Sequence, residues 1–498
     1  MKNRKRARVL AIGLDAAEPA LVRQLIEEGT LPTLKHLLEA GSWSRVESPA
    51  MIGSGTVWPT FFTGNEPTAH GIYSDWCWQP QAMSLARYDG SRVVPFWKRL
   101  ADEGLAVGVL DVPFAPLVGL SKGFEITEWG AHDAFDGQMN FAPNDIAELV
   151  TKRVSPHPFA SNDRGAAGQL DVEGLRRLGA DCLTGARLRG ELAELLIRER
   201  ETDLSIIVFP EIHHAAHRLW HTVAADHPFY AGDGFQETRT VSPSPADVLR
   251  EVDSQIARLL EAVGDEATVM VFSLHGMRPV RGLPAFLATL LEEAGMTRVN
   301  DWSGLSWPGR AQSLIAAIKS RVPAGLKGLY HKNVPQRIAY KLAQPTMIPA
   351  YDWNQTRAFA LPTDQHGWIR LNLAGRESKG CVTPGLYEET CREIEEALKA
   401  VVTEDGRPLV REVMRTAGTV EEALKASLPD LVVHWHDAAF ELPMRIKGLL
   451  LEAHPAASGQ TGQHAPEGFC IWKGAAVAAA PETIPATALH HMLVNSLA

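Results

Sequence analysis

The stretch VLAIGLD, residues 9–15, is an apolar run that closes on an acid. Its first six residues carry no polar side chain, which leaves no face for water and predicts a strand buried on both sides. Runs of the same kind recur as AVGVLDVP (106–113), LSIIVFPE (204–211) and TVMVFSLHG (268–276). Longer helical patterns such as EPALVRQLIEEGTLPTLKHLLEAG (18–41) stand between them. This alternation predicts an α/β fold, a mostly parallel sheet with helices on both faces. Ligands of such sheets gather at the carboxyl ends of strands, so Asp15, Asp111, Glu211 and His275 are expected on one rim.

Working outward, the pattern changes after residue 277. Segments LPAFLATLLEEAG, AQSLIAAIKSRV and VPQRIAYKLAQ read as helices separated by Trp, Pro and Gly loops. Residues 278–350 are therefore expected to form an inserted helical cap, with the catalytic core built from 1–277 and 351–498. Sheet-like character resumes at GWIRLNLAG (367–375), followed by the helix GLYEETCREIEEALKAVV and the strand DLVVHW. A chain of 498 residues exceeds what one hydrophobic core usually serves, which agrees with a core plus an insertion.

Composition narrows the function. With 45% hydrophobic and 22% charged residues the chain has the balance of a globular protein, not a disordered one. A net charge of −10 argues against binding a nucleic-acid polymer, which demands clustered Lys and Arg. The five cysteines are scattered and form no CxxC pair, so a thiolate metal site is not expected and a reducing compartment, the cytoplasm, is. No stretch of 18 uncharged apolar residues occurs, so no membrane span is expected. The apolar stretch at the N-terminus is too short for a signal peptide and meets Asp15. Oligomeric state is not legible.

The chemistry concentrates in FPEIHHAAHRLWH, residues 209–221. His213 and His217 are four apart, so on a helix they share one face, and imidazoles at that spacing can grip one zinc ion. A lone pair of this kind is as often structural as ligating. Three further stretches add weight: GLDAAEP with Asp15 at a strand end, SPAMIGSGTVWPTFFTGNEPTAHGIYSDW (48–76) with its run of hydroxyls, and VFSLHGM (271–277) with His275 at a turn.

Together with TGQHAPEGFCIWKGAA (461–476), and in this order, these stretches resemble the alkaline phosphatase superfamily, in particular its type I phosphodiesterase/nucleotide pyrophosphatase branch. The resemblance covers about 8–280 and 352–476 and leaves out the cap. It implies an alkaline-phosphatase-like core and a two-zinc hydrolase in which a Ser or Thr hydroxyl attacks phosphorus. Counting back from FFTG puts that nucleophile at Ser54, with Thr56 as the fallback. The resemblance also implies metal positions at Asp15, His213, His217, His275 and His464.

Two of the family's carboxylates are absent: His213 stands where an Asp is usual, and Leu274 stands before His275 in SLHG. Two zinc ions at roughly 4 Å need several carboxylates to offset their repulsion. The expectation is therefore one tightly bound zinc on His213, His217 and His464, beside a poorer set of Asp15, His275 and Ser54. Glu211 is either a replacement ligand for that second set or an acid that orients His213 or His217. His214, His221 and His366 are candidate contacts for a small anionic substrate, and Trp58 a candidate aromatic wall. Arg370 and Arg376 read as structural in preference to substrate-binding. The leading expectation is a zinc-dependent hydrolase of phosphodiester or pyrophosphate bonds in a small, nucleotide-like substrate. Its alternatives are a mononuclear enzyme using zinc-bound hydroxide on a different bond, and a non-catalytic binding protein on the same scaffold.

Overall fold

All four apolar runs become neighbouring strands. In a computed structural model, residues 8–497 are described except 131–138, 160–170, 225–226, 228–236, 281–285, 301–343, 345–346, 364, 405, 437–443, 447–448, 452–458 and 475–480. They fall into two compact units, one of residues 1–70, 89–279 and 459–498, the other of 71–88 and 280–458.

The strands of the first unit are Val9–Leu14 (β1), Ser42–Glu47 (β2), Val107–Leu110 (β3), Gly123–Thr127 (β4), Asn140–Ala142 (β5) and Leu204–Phe209 (β6). They continue with Thr268–Ser273 (β7), Gly276–Pro279 (β8), Gly462–Ala465 (β9), Glu467–Lys473 (β10) and Thr483–Pro485 (β11). Nine of them form one sheet in the order β11-β2-β10-β7-β1-β6-β3-β4-β5. The central strands β7, β1, β6, β3 and β4 run parallel, while β10 and β5 are antiparallel to their neighbours. All six residues of β1 are buried. Each large apolar side chain so covered contributes roughly 1.5–3 kcal/mol. That burial fixes the register, Val9 opposite Leu204 and Thr268, and with it the place of Asp15 at the strand end.

Helices cover both faces. Pro19–Glu27 (α1), Pro32–Glu39 (α2), Val57–Thr63 (α3), Val172–Glu199 (α4), Glu211–Leu219 (α5) and Pro245–Val263 (α6) are those that bear on the site. Leu10, Ile12, Phe209 and Val271 of the sheet share a core with α1, α2, α4, α5 and α6. On the other face Trp58 and Phe61 of α3 meet Phe272, with ring centroids 5.9 and 4.8 Å away. The helical pattern of 18–41 is two helices and not one, because Gly29 turns at φ +76° and Pro32 restarts the chain.

The second unit holds a four-stranded antiparallel sheet ordered Ala358–Leu361, Gly367–Leu371, Leu431–Trp435, Val410–Arg415. Helices Leu287–Glu293 and Tyr387–Lys399 share its apolar core. Arg376 Nη2 lies 2.7 Å from Asp430 Oδ2 and its Nε 2.9 Å from Glu377 Oε2, while Arg370 Nε lies 2.8 Å from Glu377 Oε1. These arginines hold buried acids within the unit, as their structural reading anticipates. Of the helices expected in the cap, the one in LPAFLATLLEEAG is observed, whereas AQSLIAAIKSRV and most of VPQRIAYKLAQ lie outside the described residues. Among the described residues no helix is long and apolar enough to cross a membrane.

Candidate metal centre

Three segments bring their histidines together at the carboxyl ends of β1, β6 and β7. After β6 the chain turns at Pro210 straight into α5, whose 3.6-residue period sets His213 and His217 one turn apart on the same face. Their Nε2 atoms are 2.7 Å apart. His464 arrives from β9, which pairs antiparallel with β8 so that His464 stands opposite Met277. Its Nε2 lies 2.9 Å from that of His213. All three residues are buried. A second group, Asp15, His213 and His275, gathers beside the first.

Hydrogen bonding fixes the tautomers of His217 and His213. His217 Nδ1 is 3.0 Å from the Gly462 carbonyl, which can only accept, so the proton is on Nδ1 and Nε2 presents a lone pair. His213 Nδ1 donates likewise to Asp15 Oδ2 at 2.7 Å. Two lone pairs therefore face each other at a separation that demands something positive between them. A proton relieves only one of the two contacts made by His213 Nε2, since that atom has a single lone pair; a divalent cation relieves both. Three neutral imidazoles with a fourth position left for substrate or water are a donor set that suits zinc. Gly462 is required here, because a Cβ would fall 2.3 Å from the Ala216 carbonyl oxygen. Thr461 N adds a 2.7 Å bond to the His217 carbonyl.

Asp15 is held from three directions. Besides His213, Trp58 Nε1 donates to its Oδ1 at 3.0 Å, and His275 Nε2 is 3.5 Å from the same oxygen. Trp58 reaches Asp15 by lying across Gly13. A Cβ on Gly13 would come within 2.7 Å of the indole and 3.2 Å of Val208. Gly13→Ala is therefore expected to lower stability by about 1–3 kcal/mol through overpacking, read as a lower urea midpoint with unchanged slope. Glu18 lies against the β8 backbone, accepting from Met277 N at 2.9 Å, and burial pushes its carboxyl up to about 7.

The expected rim divides. Asp15 and His275 adjoin the histidines, but Glu211 and Asp111 turn to Arg189 of α4. Glu211 Oε1 accepts from Arg189 Nε and from His157 Nε2, both at 2.8 Å, and Asp111 Oδ2 accepts from Arg189 Nη1 at 2.8 Å. Asp111 also receives the backbone amides of Trp129 and Gly130 at 2.9 Å. Nothing in the sequence spacing of Arg189, on a long amphipathic helix, announces this pairing.

Ser54 and Thr56 belong to a 3₁₀ turn leading into α3. The Thr56 hydroxyl lies 2.9 Å from the Pro49 carbonyl and 2.7 Å from that of Gly53, which engages it with backbone; Ser54 is half-buried. Trp58 is 3% exposed and its observed partners are protein groups. His214 stacks on Phe159 with centroids 4.3 Å apart. His221 is held down to about 4 by burial and then by His227, so it is neutral at pH 7. His366 lies in the second unit with its ring 4.6 Å from that of His434.

Known proteins agree with this architecture. Phosphonoacetate hydrolase from Sinorhizobium meliloti 1021, solved with phosphonoacetate, is 16% identical with a TM-score of 0.51 over 99% of this chain and 96% of its own. Its complex with phosphonoformate gives 15% and 0.50 over the same shares. Human ectonucleotide pyrophosphatase/phosphodiesterase 5 gives 11% and 0.49 over 98% and 94%. At such identities the likeness to the two phosphonoacetate hydrolase structures is one of fold, the alkaline-phosphatase-like fold. No curated protein matches the sequence. A family model does, across residues 9–442. By that match the chain belongs to the type I phosphodiesterase / nucleotide pyrophosphatase family, a family of metal-dependent hydrolases.

Proposed function

We propose that the chain is a zinc-dependent hydrolase of phosphodiester or pyrophosphate bonds in small anionic substrates, with one tight zinc on His213, His217 and His464 and Ser54 as nucleophile. The observation that carries this reading is the meeting of three imidazole Nε2 atoms at 2.7 and 2.9 Å, with the lone pairs of His213 and His217 turned inward. When bound there, zinc supplies Lewis acidity, drawing charge from a phosphoryl oxygen and making a nearby hydroxyl more acidic. The chain's own groups orient His213 through Asp15, hold His217 through Gly462 and exclude bulk water by burial.

One cation is favoured over two by the scarcity of acids. Asp15 is the one carboxylate among the two ligand groups found in the described residues, and Leu274, where the family has an acid, is 1% exposed. Two divalent ions close together repel strongly unless carboxylates offset them. The poorer set, Asp15 and His275 with Ser54, is thus expected to hold a second ion weakly.

The test is to strip the protein with a chelator and add zinc back while following hydrolysis of bis(p-nitrophenyl) phosphate and of a dinucleoside pyrophosphate. Full activity at about one equivalent is expected. Hydrolysis that survives stripping, or a chain that takes up no zinc, refutes the reading. The relative solved with phosphonoacetate makes phosphonates a third substrate class to assay.

A further inference from the structure

We propose that Asp15 acts on the trihistidine cation through His213, as a positioning group that sets which imidazole nitrogen faces the ion, and is not itself a ligand of that ion. The inference rests on the reading of His213, His217 and His464 as a cation site.

The geometry separates the two roles. An imidazole carries its nitrogens on different edges of the ring. His213 turns Nδ1 to Asp15 Oδ2 at 2.7 Å and Nε2 to His217 and His464 at 2.7 and 2.9 Å. Asp15 thus stands on the edge facing away from the place where the three Nε2 atoms meet. The contact between Nδ1–H and carboxylate is complementary and needs no cation, whereas the contact of His213 Nε2 with His217 Nε2 is acceptor against acceptor and does. With the carboxylate in place the proton is drawn to Nδ1, Nε2 is left basic, and the ring is fixed in orientation. The carboxylate is fixed in turn: Trp58 Nε1 donates to Oδ1 at 3.0 Å from a helix that packs over Gly13. The chain therefore builds a relay from α3 through Asp15 to His213, and its terminus is a lone pair.

Substituting Asn for Asp keeps size and removes charge. An Asn amide can also present its NH₂ to Nδ1, which drives the ring proton to Nε2 and blocks ligation. Full-length metal-free protein is titrated with Zn²⁺ in competition with a chromophoric chelator, and separately given Co²⁺ only until the tight trihistidine site, and not the weaker second set, is saturated, for its visible spectrum. Asp15→Asn and Asp15→Ala are both used, each checked by melting of the metal-free form, so that a misfolded variant is recognised and the other carries the result. The expected result is zinc affinity about 10–100-fold lower in the variants, with the saturated cobalt spectrum matching wild type because the three nitrogen donors are unchanged. Unchanged zinc affinity overturns the proposal, and so does a cobalt spectrum that differs at saturation, since that marks Asp15 as a donor. A wild-type chain that takes up neither ion overturns the cation site itself, a result seen before any variant is made.

Discussion

A Ser54→Ala protein is expected to keep its zinc and lose hydrolysis by about 10³-fold or more, whereas His217→Ala loses both. The magnitude follows from the several kcal/mol that a metal-activated nucleophile supplies at about 1.4 kcal/mol per factor of ten. The argument for Ser54 is one of placement along the chain. Ser54 opens the turn that becomes α3, and Trp58, four residues on, is bonded to Asp15 at 3.0 Å. The competing hydroxyl, Thr56, lies within 2.9 Å of two backbone carbonyls. His217 is different in kind, since it is one of three donors and its removal opens the site. Metal content by plasma mass spectrometry together with diester hydrolysis separates the two variants. Wild-type turnover in Ser54→Ala removes Ser54 from the chemistry.

Arg189→Met is the second large expectation: a loss of about 3–5 kcal/mol at pH 7, because two buried acids lose their cation. Arg189, Asp111 and Glu211 have fully buried side chains. Burial alone would raise the Glu211 carboxyl, but the Arg189 charge and the bonds from His157 and Arg189 hold it below its ordinary 4.5. A lowered native pKa contributes stability that is present above the ordinary, unfolded value and lost as pH falls through the native one. In the variant the opposing cation is gone, burial prevails and the acid takes up a proton more readily. The deficit in urea-unfolding free energy should therefore be largest near pH 7 and shrink toward pH 4. A deficit under about 1 kcal/mol at pH 7 would show that the network carries little. Glu211 precedes His213 by two residues on α5, so the same variant reports how firmly that helix is seated.

What the sequence made legible followed from local signals. Apolar runs at 9–15, 204–211 and 268–276 gave the adjacent strands β1, β6 and β7 because full burial leaves a continuous mark on a parallel strand. His213 and His217 were legible as a pair because helical period alone puts them together. The division of the rim was not: whether Glu211 faces the histidines or Arg189 depends on a partner 22 residues away on another helix, and charge pairing across a fold leaves no spacing. Nor did composition tell that the Trp58 N–H would donate to Asp15. Gly462 did leave a trace, a glycine two residues before His464, where only a missing side chain lets β9 close on α5.

The origin of His464 bears on how the protein comes into being. This donor sits in β9, beyond the family-matched span of 9–442, while its two companions sit near residue 215. Chains emerge from the ribosome N-terminus first, and a preformed metal site does not exist until its donors are assembled. For the time needed to synthesise some 250 further residues, a nascent chain holds only two of the three nitrogens of the proposed trihistidine site. On the proposed trihistidine site, cation capture is thus a closing event of biosynthesis, timed by the arrival of one short strand.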